Sequence, residues 1–149
     1  MLQDYNQLNS RLNFLKIMDA EIQRSRNYCT DLSLCILRIA LEKREPELDE
    51  SAIDRIVSSV GNIISGEIRQ WDILHQYDGQ SFVLLMPQTS IEEAQKLCDH
   101  IKCVSGECIL ETDGISLKFQ CGWAELSPEN NEFGADLLYR ASSELQNVN

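Results

Sequence analysis

Trp71-Asp-Ile-Leu-His-Gln-Tyr-Asp-Gly-Gln-Ser-Phe-Val-Leu-Leu-Met-Pro87 is the stretch on which the reading of this chain turns. Two apolar runs, Trp71–Tyr77 and Phe82–Met86, flank Asp78-Gly79-Gln80-Ser81. An Asp-Gly step between such runs marks a β-hairpin, because Gly reaches positive φ without steric cost and Asp tolerates the left-handed region. Pro87 removes a backbone donor and closes the second strand. The expectation is a hairpin over 71–86.

Working outward, Asp31-Leu-Ser-Leu-Cys-Ile-Leu-Arg-Ile-Ala40 is a short apolar run bounded by polar residues and predicts a buried strand. Residues 5–27 carry Leu8, Leu12, Leu15 and Ile22 at helical spacing. Residues 51–68 place Ile53, Ile56, Val57, Val60, Ile63, Ile64 and Ile68 on one face of an amphipathic helix. After the hairpin, Ser90 followed by Ile-Glu-Glu opens a third helix as an N-cap with Glu93 as its capping-box partner, running to about Cys103. A strand is expected over Ile115–Glu125 and a closing helix over Gly134–Leu145. The order is helix, strand, helix, hairpin, helix, strand, helix. It predicts an α+β, sandwich-like domain: a central mixed, mostly antiparallel sheet flanked by helices. Without repeats or internal linkers, residues 1–149 read as one domain.

Composition narrows the function. Thirteen Lys and Arg stand against 24 Asp and Glu, a net charge of −11. A field of that sign argues against nucleic acid as partner, while one or two well-placed arginines still suffice for a small anion. No apolar run approaches the ~20 residues of a membrane helix, and the N-terminus lacks the pattern of a signal peptide. The six cysteines, at 29, 35, 98, 103, 108 and 121, form no Cys-x-x-Cys pair and fit no zinc spacing with His75 or His100. They read as reduced core hydrophobes of a cytoplasmic protein, with no metal.

Tyr77-Asp-Gly-Gln-Ser-Phe82 and the run to Pro87 resemble the signature hairpin of the diguanylate cyclase (GGDEF) family, Arg-Tyr-Gly-Gly-Asp/Glu-Glu-Phe. Leu32–Leu37 resembles the family's first strand, Arg11 and Phe14 match its opening Asn-Arg-x-x-Phe, and Cys121-Gly122 stands at its late Ile-Gly. Ser90–Ile101 and Ala135–Leu145 resemble two of its helices, so the likeness covers nearly the whole chain. The resemblance implies a nucleotide-cyclase-like fold. It also implies a reaction, the condensation of two GTP into cyclic di-GMP on two carboxylate-held metal ions.

The same resemblance implies a degenerate active site. The signature positions are Asp78, Gly79, Gln80, Ser81 and Phe82, so its two acids are an amide and a hydroxyl. The strand acids are Arg38 and Ala40, or Leu37 and Ile39 if the register slips by one. The base-binding asparagine falls on Glu45 or Pro46, and the final lysine on Asn149; Asp54 remains. On this basis the expectation is no enzyme and no cofactor.

What the resemblance leaves is a ligand site. Arg69-Gln-Trp-Asp72 matches the family's Arg-x-x-Asp, which binds cyclic di-GMP as product, and Arg24 matches an assisting arginine. His100 replaces a further arginine of that site. A guanidinium donates a forked pair of hydrogen bonds to guanine or phosphate, and a carboxylate accepts from guanine N–H groups. As plain surface chemistry, Arg69 also suits a helix C-terminus and Asp72 a salt bridge. Trp71 is expected to pack in the core beneath the hairpin.

Three functions follow. The leading one is a cyclic di-GMP receptor acting through Arg69, Asp72 and Arg24, relaying to a protein partner or attached domain, with a homodimer as one arrangement. The second is a nucleotide-independent interaction or dimerisation module. The third, a GTP-binding allosteric domain, is disfavoured by the charge of Asp78. The chain is either a stand-alone protein or one piece of a longer signalling protein.

Overall fold

A computed structural model describes residues 2–41, 49–113, 117–126 and 131–145. The elements are α1 (Leu2–Tyr28), β1 (Leu32–Leu41), α2 (Glu50–Glu67), β2 (Ile73–Asp78), β3 (Ser81–Pro87), α3 (Ile91–Asp113), β4 (Leu117–Glu125) and α4 (Gly134–Leu145). The strands form one sheet in the order β2-β3-β1-β4. Every pairing among the described strands is antiparallel, in keeping with the α+β, mostly antiparallel sheet flanked by helices that the sequence predicts.

β1 and β3 read as continuous apolar runs because both faces of the sheet are covered. On one face Cys35, Leu37, Ile39, Phe82, Leu84 and Met86 meet Val57, Val60 and Ile64 of α2 and Cys98 and Ile101 of α3. On the other face Leu34, Ile36, Val83 and Leu85 meet Phe14, Met18 and Ile22 of α1 and Leu137 and Ala141 of α4. The result is a three-layer sandwich.

Local chemistry sets the ends of the helices. Asp49 caps α2, accepting from Ala52 N at 2.8 Å. Ser90 Oγ accepts from Glu93 N at 3.2 Å and bonds the Glu93 carboxylate at 3.1 Å, as its place before α3 anticipates. Yet α3 runs ten residues beyond Cys103, to Asp113. Gly106 does not stop it, since an isolated Gly inside a helix costs only ~1 kcal/mol relative to Ala.

The hairpin forms where expected, but not by the expected turn. β2 begins at Ile73, and Asp78 pairs with Ser81 across the Gly79-Gln80 turn. Gly79 lies outside the left-handed region. A bulge between Gln76 and Asp78 supplies the extra twist instead, and Asp78 Oδ1 accepts from Gln80 N at 2.9 Å to close the turn.

Helix α1 grips the outer strand. Arg11 donates from Nε (2.9 Å) and Nη2 (2.6 Å) to Tyr77 O, and its guanidinium lies 4.5 Å from the Tyr77 ring centroid. Phe14 stacks on His75 with centroids 4.7 Å apart. Burial, reinforced by the Arg11 charge, holds His75 below its ordinary pKa, so the stacked ring is neutral. Arg11→Ala is expected to lower stability by about 1–2 kcal/mol, read as an earlier urea midpoint. An unchanged midpoint would show that this latch contributes nothing.

Candidate functional site

Two places merit chemical scrutiny: the end of β1 beside the hairpin tip, and a cleft beyond the other end of β3.

At the hairpin, Arg38 is exposed and directly opposite Ser81, whose residue is buried. Ala40 is partly exposed and opposite Lys118. Gln80 is tied down through its backbone, its carbonyl accepting from Ile39 N at 2.8 Å. Phe82 points inward and its ring would touch a Cβ at Gly61 at 3.1 Å, so this signature residue is a core anchor beneath α2. The slipped register does not bring acids either, because Leu37 and Ile39 are buried core residues. Asp49 is engaged as a helix cap, and Asp54 is exposed on α2. Glu42, Glu45, Pro46 and Asn149 lie outside the described residues. A guanidinium, a hydroxyl and an amide do not fit a divalent cation, which needs anionic oxygen donors. No chemical step is assigned through a metal here.

The second place begins with a compact turn. After α2, the backbone N–H of Asp72 bonds Arg69 O at 3.1 Å, and Asp72 Oδ2 accepts from Arg69 N at 2.9 Å. The same carboxylate takes Arg69 Nε and Nη2, each at 3.2 Å, a two-pronged ion pair. Its side chain is 0% exposed, whereas that of Arg69 is 34% exposed. Arg69 Nη2 also donates to the hydroxyl of Thr89, which is itself anchored to Pro87 O at 2.9 Å. The guanidinium carbon lies 5.3 Å from the Trp71 ring centroid. Arg69 is thereby held on three sides, and among the described residues its Nη1 donors have no partner.

Trp71 is 55% exposed, so the expected core role is corrected. The turn 69–72 precedes β2 rather than belonging to it, and its buried position is taken by Asp72. Trp71 forms one wall of a cleft of about 290 Å³, with Pro87 and Gln88 at the end of β3 and Glu21, Arg24 and Tyr28 on α1. Arg24, whose side chain is 67% exposed and 3.9 Å from Glu21, lines the same cleft.

The structure thus brings Arg24 and Trp71 to one cleft, with Arg69 stacked on Trp71 and Asp72 holding the Arg69 guanidinium. His100 is elsewhere, 2.9 Å from Glu67 across α2 and α3. Sequence reasoning missed Thr89, Tyr28 and Gln88. Thr89 is 20 positions from Arg69 and meets it only through the fold.

A family model described as "Diguanylate cyclase, GGDEF domain" matches residues 4–149. Diguanylate cyclase DgcP of Pseudomonas aeruginosa is 26% identical over 129 residues, covering 86% of this chain and 19% of the relative. The chain therefore spans about a fifth of that protein. Among solved structures, the GGDEF domain of DgcB from Caulobacter crescentus in complex with c-di-GMP superposes with a TM-score of 0.73 at 16% identity, covering 89% of this chain and 80% of that one. The FimX GGDEF domain from P. aeruginosa gives 0.73 at 17% identity, covering 93% and 86%. Diguanylate cyclase SiaD in complex with its activator SiaC, from the same organism, gives 0.73 at 19% identity, covering 91% and 53%. At these identities the structural likeness establishes the fold.

The comparisons correct one expectation. The reading of no enzyme rested on the missing signature acids. The family model and the curated relative are both those of diguanylate cyclases, so kinship points to an enzyme. Replacement of those side chains does not by itself establish loss of turnover. Among the described helices none is long and apolar enough to cross a membrane.

Proposed function

This chain belongs to the GGDEF, diguanylate cyclase domain family, and from that premise we propose that it binds cyclic di-GMP in the cleft beside Arg69 and relays the bound state to a protein partner. The observation that carries the reading is Arg69 itself: a guanidinium fixed by Asp72, Thr89 and Trp71, with a third of its side chain still exposed. In a chain of net charge −11, two arginines beside one cleft make a local site for a phosphate or a guanine edge. A fixed guanidinium loses little entropy on binding. The cleft, at about 290 Å³, is at the small end of ligand pockets and suits one guanine and its phosphate.

Asp72 acts by positioning Arg69, since both carboxylate oxygens already accept from it. The complex of the DgcB domain with c-di-GMP supports the ligand, and that of SiaD with its activator supports a protein partner. Binding requires no added cofactor. The alternative, a nucleotide-independent interaction module, draws on Phe133 and Tyr139, two large apolar residues exposed at α4. Bridging of two copies by the ligand would appear as ligand-dependent dimerisation in sedimentation.

Calorimetric titration with cyclic di-GMP tests the reading. Arg69→Ala is expected to weaken binding about 10- to 100-fold, the loss of a charged hydrogen-bond donor pair. Arg24→Ala, at an exposed position with only a long pairing to Glu21, is expected to weaken binding severalfold while the fold is untouched. No heat at tens of micromolar would sink the proposal, and binding indifferent to both substitutions would place the ligand elsewhere. Incubation of the same protein with GTP and magnesium measures whether the kinship with cyclases extends to turnover.

A further inference from the structure

Three cysteines that the proposed ligand site does not use meet in the core between the sheet and α3. Cys35 on β1 and Cys98 on α3 bring their sulfurs to 2.9 Å, and both are fully buried. Cys121 on β4 is buried beside them and hydrogen-bonds Cys35. Lys102, one turn beyond Cys98 on α3, comes within hydrogen-bonding reach of Cys121. The Lys102 side chain is partly exposed, 3.8 Å from Asp99 and 5.6 Å from the centroid of the Trp123 ring. It therefore links the buried sulfurs to the surface.

Burial alone is what any core cysteine shows. Two features go beyond it: sulfurs inside van der Waals contact, and a lysine ammonium brought to a buried thiol.

We propose that Cys35, Cys98 and Cys121 form a peroxide-oxidisable site that ends as a Cys35–Cys98 disulfide. The chemistry divides among the three. Burial, with the neighbouring thiols adding to it, pushes the Cys35 thiol well up, so Cys35 keeps its proton. The hydrogen bond from Cys35, helped by the Lys102 charge, draws the Cys121 thiol down. Of Cys35 and Cys121, Cys121 is the one whose ionised form its surroundings favour, and it is the ionised form that attacks.

Its sulfur attacks a hydroperoxide: the S–O bond forms, the O–O bond breaks, and the proton given up by the Cys121 thiol leaves with the departing hydroxide as water. Cys35 then gives its proton to the sulfenic oxygen of Cys121 as its sulfur attacks the sulfenic sulfur. An S–S bond forms, the S–O bond breaks, and the Cys35 proton leaves with the hydroxide as a second water. Two thiols and one peroxide become one disulfide and two waters.

That first disulfide is badly placed. Cys35 pairs with Trp123 and Leu37 with Cys121, so Cys35 and Cys121 are diagonal neighbours across β1 and β4. Diagonal Cβ atoms stand somewhat under about 7 Å apart, near enough for two sulfurs to meet but wider than the ~4 Å a relaxed disulfide wants. Strained disulfides are the exchangeable ones. Cys98, already at 2.9 Å from Cys35, attacks its sulfur: the Cys35–Cys98 bond forms, the Cys35–Cys121 bond breaks, and the Cys98 proton passes to the departing Cys121 sulfur. The product ties α3 to β1.

The test uses the whole chain with the other cysteines removed (Cys29→Ser, Cys103→Ser and Cys108→Ser), folded and treated with one equivalent of hydrogen peroxide. Digestion without reduction, followed by mass spectrometry, is expected to recover the Cys35 and Cys98 peptides joined, with two hydrogens fewer, and to release them on reduction. Lys102→Met, a change at a partly exposed side chain, is expected to slow joining about tenfold by withdrawing the charge that holds the thiolate. Cys121→Ala is expected to slow it comparably, with circular dichroism confirming the fold. Three free thiols, after an exposure that oxidises the exposed Cys29 of the unsubstituted chain, would overturn the proposal. So would joining at an unchanged rate in both the Lys102 and the Cys121 variants.

Discussion

Gly122→Ala is expected to cost about 3 kcal/mol or more, at the upper end for overpacking a core. Helix α4 crosses β4 directly over this residue. A Cβ at position 122 would stand inside the van der Waals radius of Ala141 O, 2.9 Å from Leu145 N and 3.1 Å from Ala141 C. All three are backbone atoms of α4, so no rotamer change relieves the clash, and the helix itself must lift. Lifting it would strip Leu137 and Ala141 from the face they share with Met18 and Ile36. The measurement is urea unfolding followed by circular dichroism, in which the midpoint is expected to fall sharply. An alanine variant as stable as the parent would mean that α4 is not seated on β4 in this way.

Asp72→Ala is expected to lower stability by about 2–3 kcal/mol. Removing one partner of a buried pair usually costs about 3–5 kcal/mol, less here because the Arg69 guanidinium is a third exposed and recovers water. The loss also strips Arg69 N of the oxygen that accepts from it at 2.9 Å. Binding should suffer with stability, since a guanidinium released from the carboxylate must be ordered again by the ligand. Cyclic di-GMP affinity is therefore expected to fall about as far as in Arg69→Ala. Because the two residues act as one unit, the double variant should bind little worse than either single one, a departure from additivity. Additive losses would show instead that Asp72 meets the ligand independently of Arg69.

The contrast between Asp72 and Trp71 shows how far sequence reasoning reaches. Both stand in one tetrapeptide, and the sequence does not show that Asp72 is buried against Arg69 or that Trp71 is exposed. Average burial would leave the charged residue outside and put the aromatic one in the core. The fold reverses that order. The turn after α2 points the carboxylate inward, where Arg69 neutralises it, and leaves the indole at the wall of the cleft. Such a reversal depends on the direction of one turn, which a four-residue pattern does not encode.

The cysteines make a related point. Cys35, Cys98 and Cys121 read individually as buried, and they are. Their convergence was invisible, because they stand on β1, α3 and β4 and meet only when α3 packs across the sheet. The early end expected for α3 failed for a local reason instead: Gly106 weakens a helix without breaking it.

From its sequence alone this chain determined its α+β architecture, its hairpin, most of its helix and strand positions and its Arg-x-x-Asp. Periodicity and caps are local physics, written in consecutive residues. Tertiary structure alone decided that Arg69 is held by Thr89 and that Arg24 and Trp71 line one cleft. It also decided that Cys35 lies against Cys98 and that α4 rests on Gly122. Each of those contacts joins residues far apart in the chain, and only packing of the layers brings them within reach.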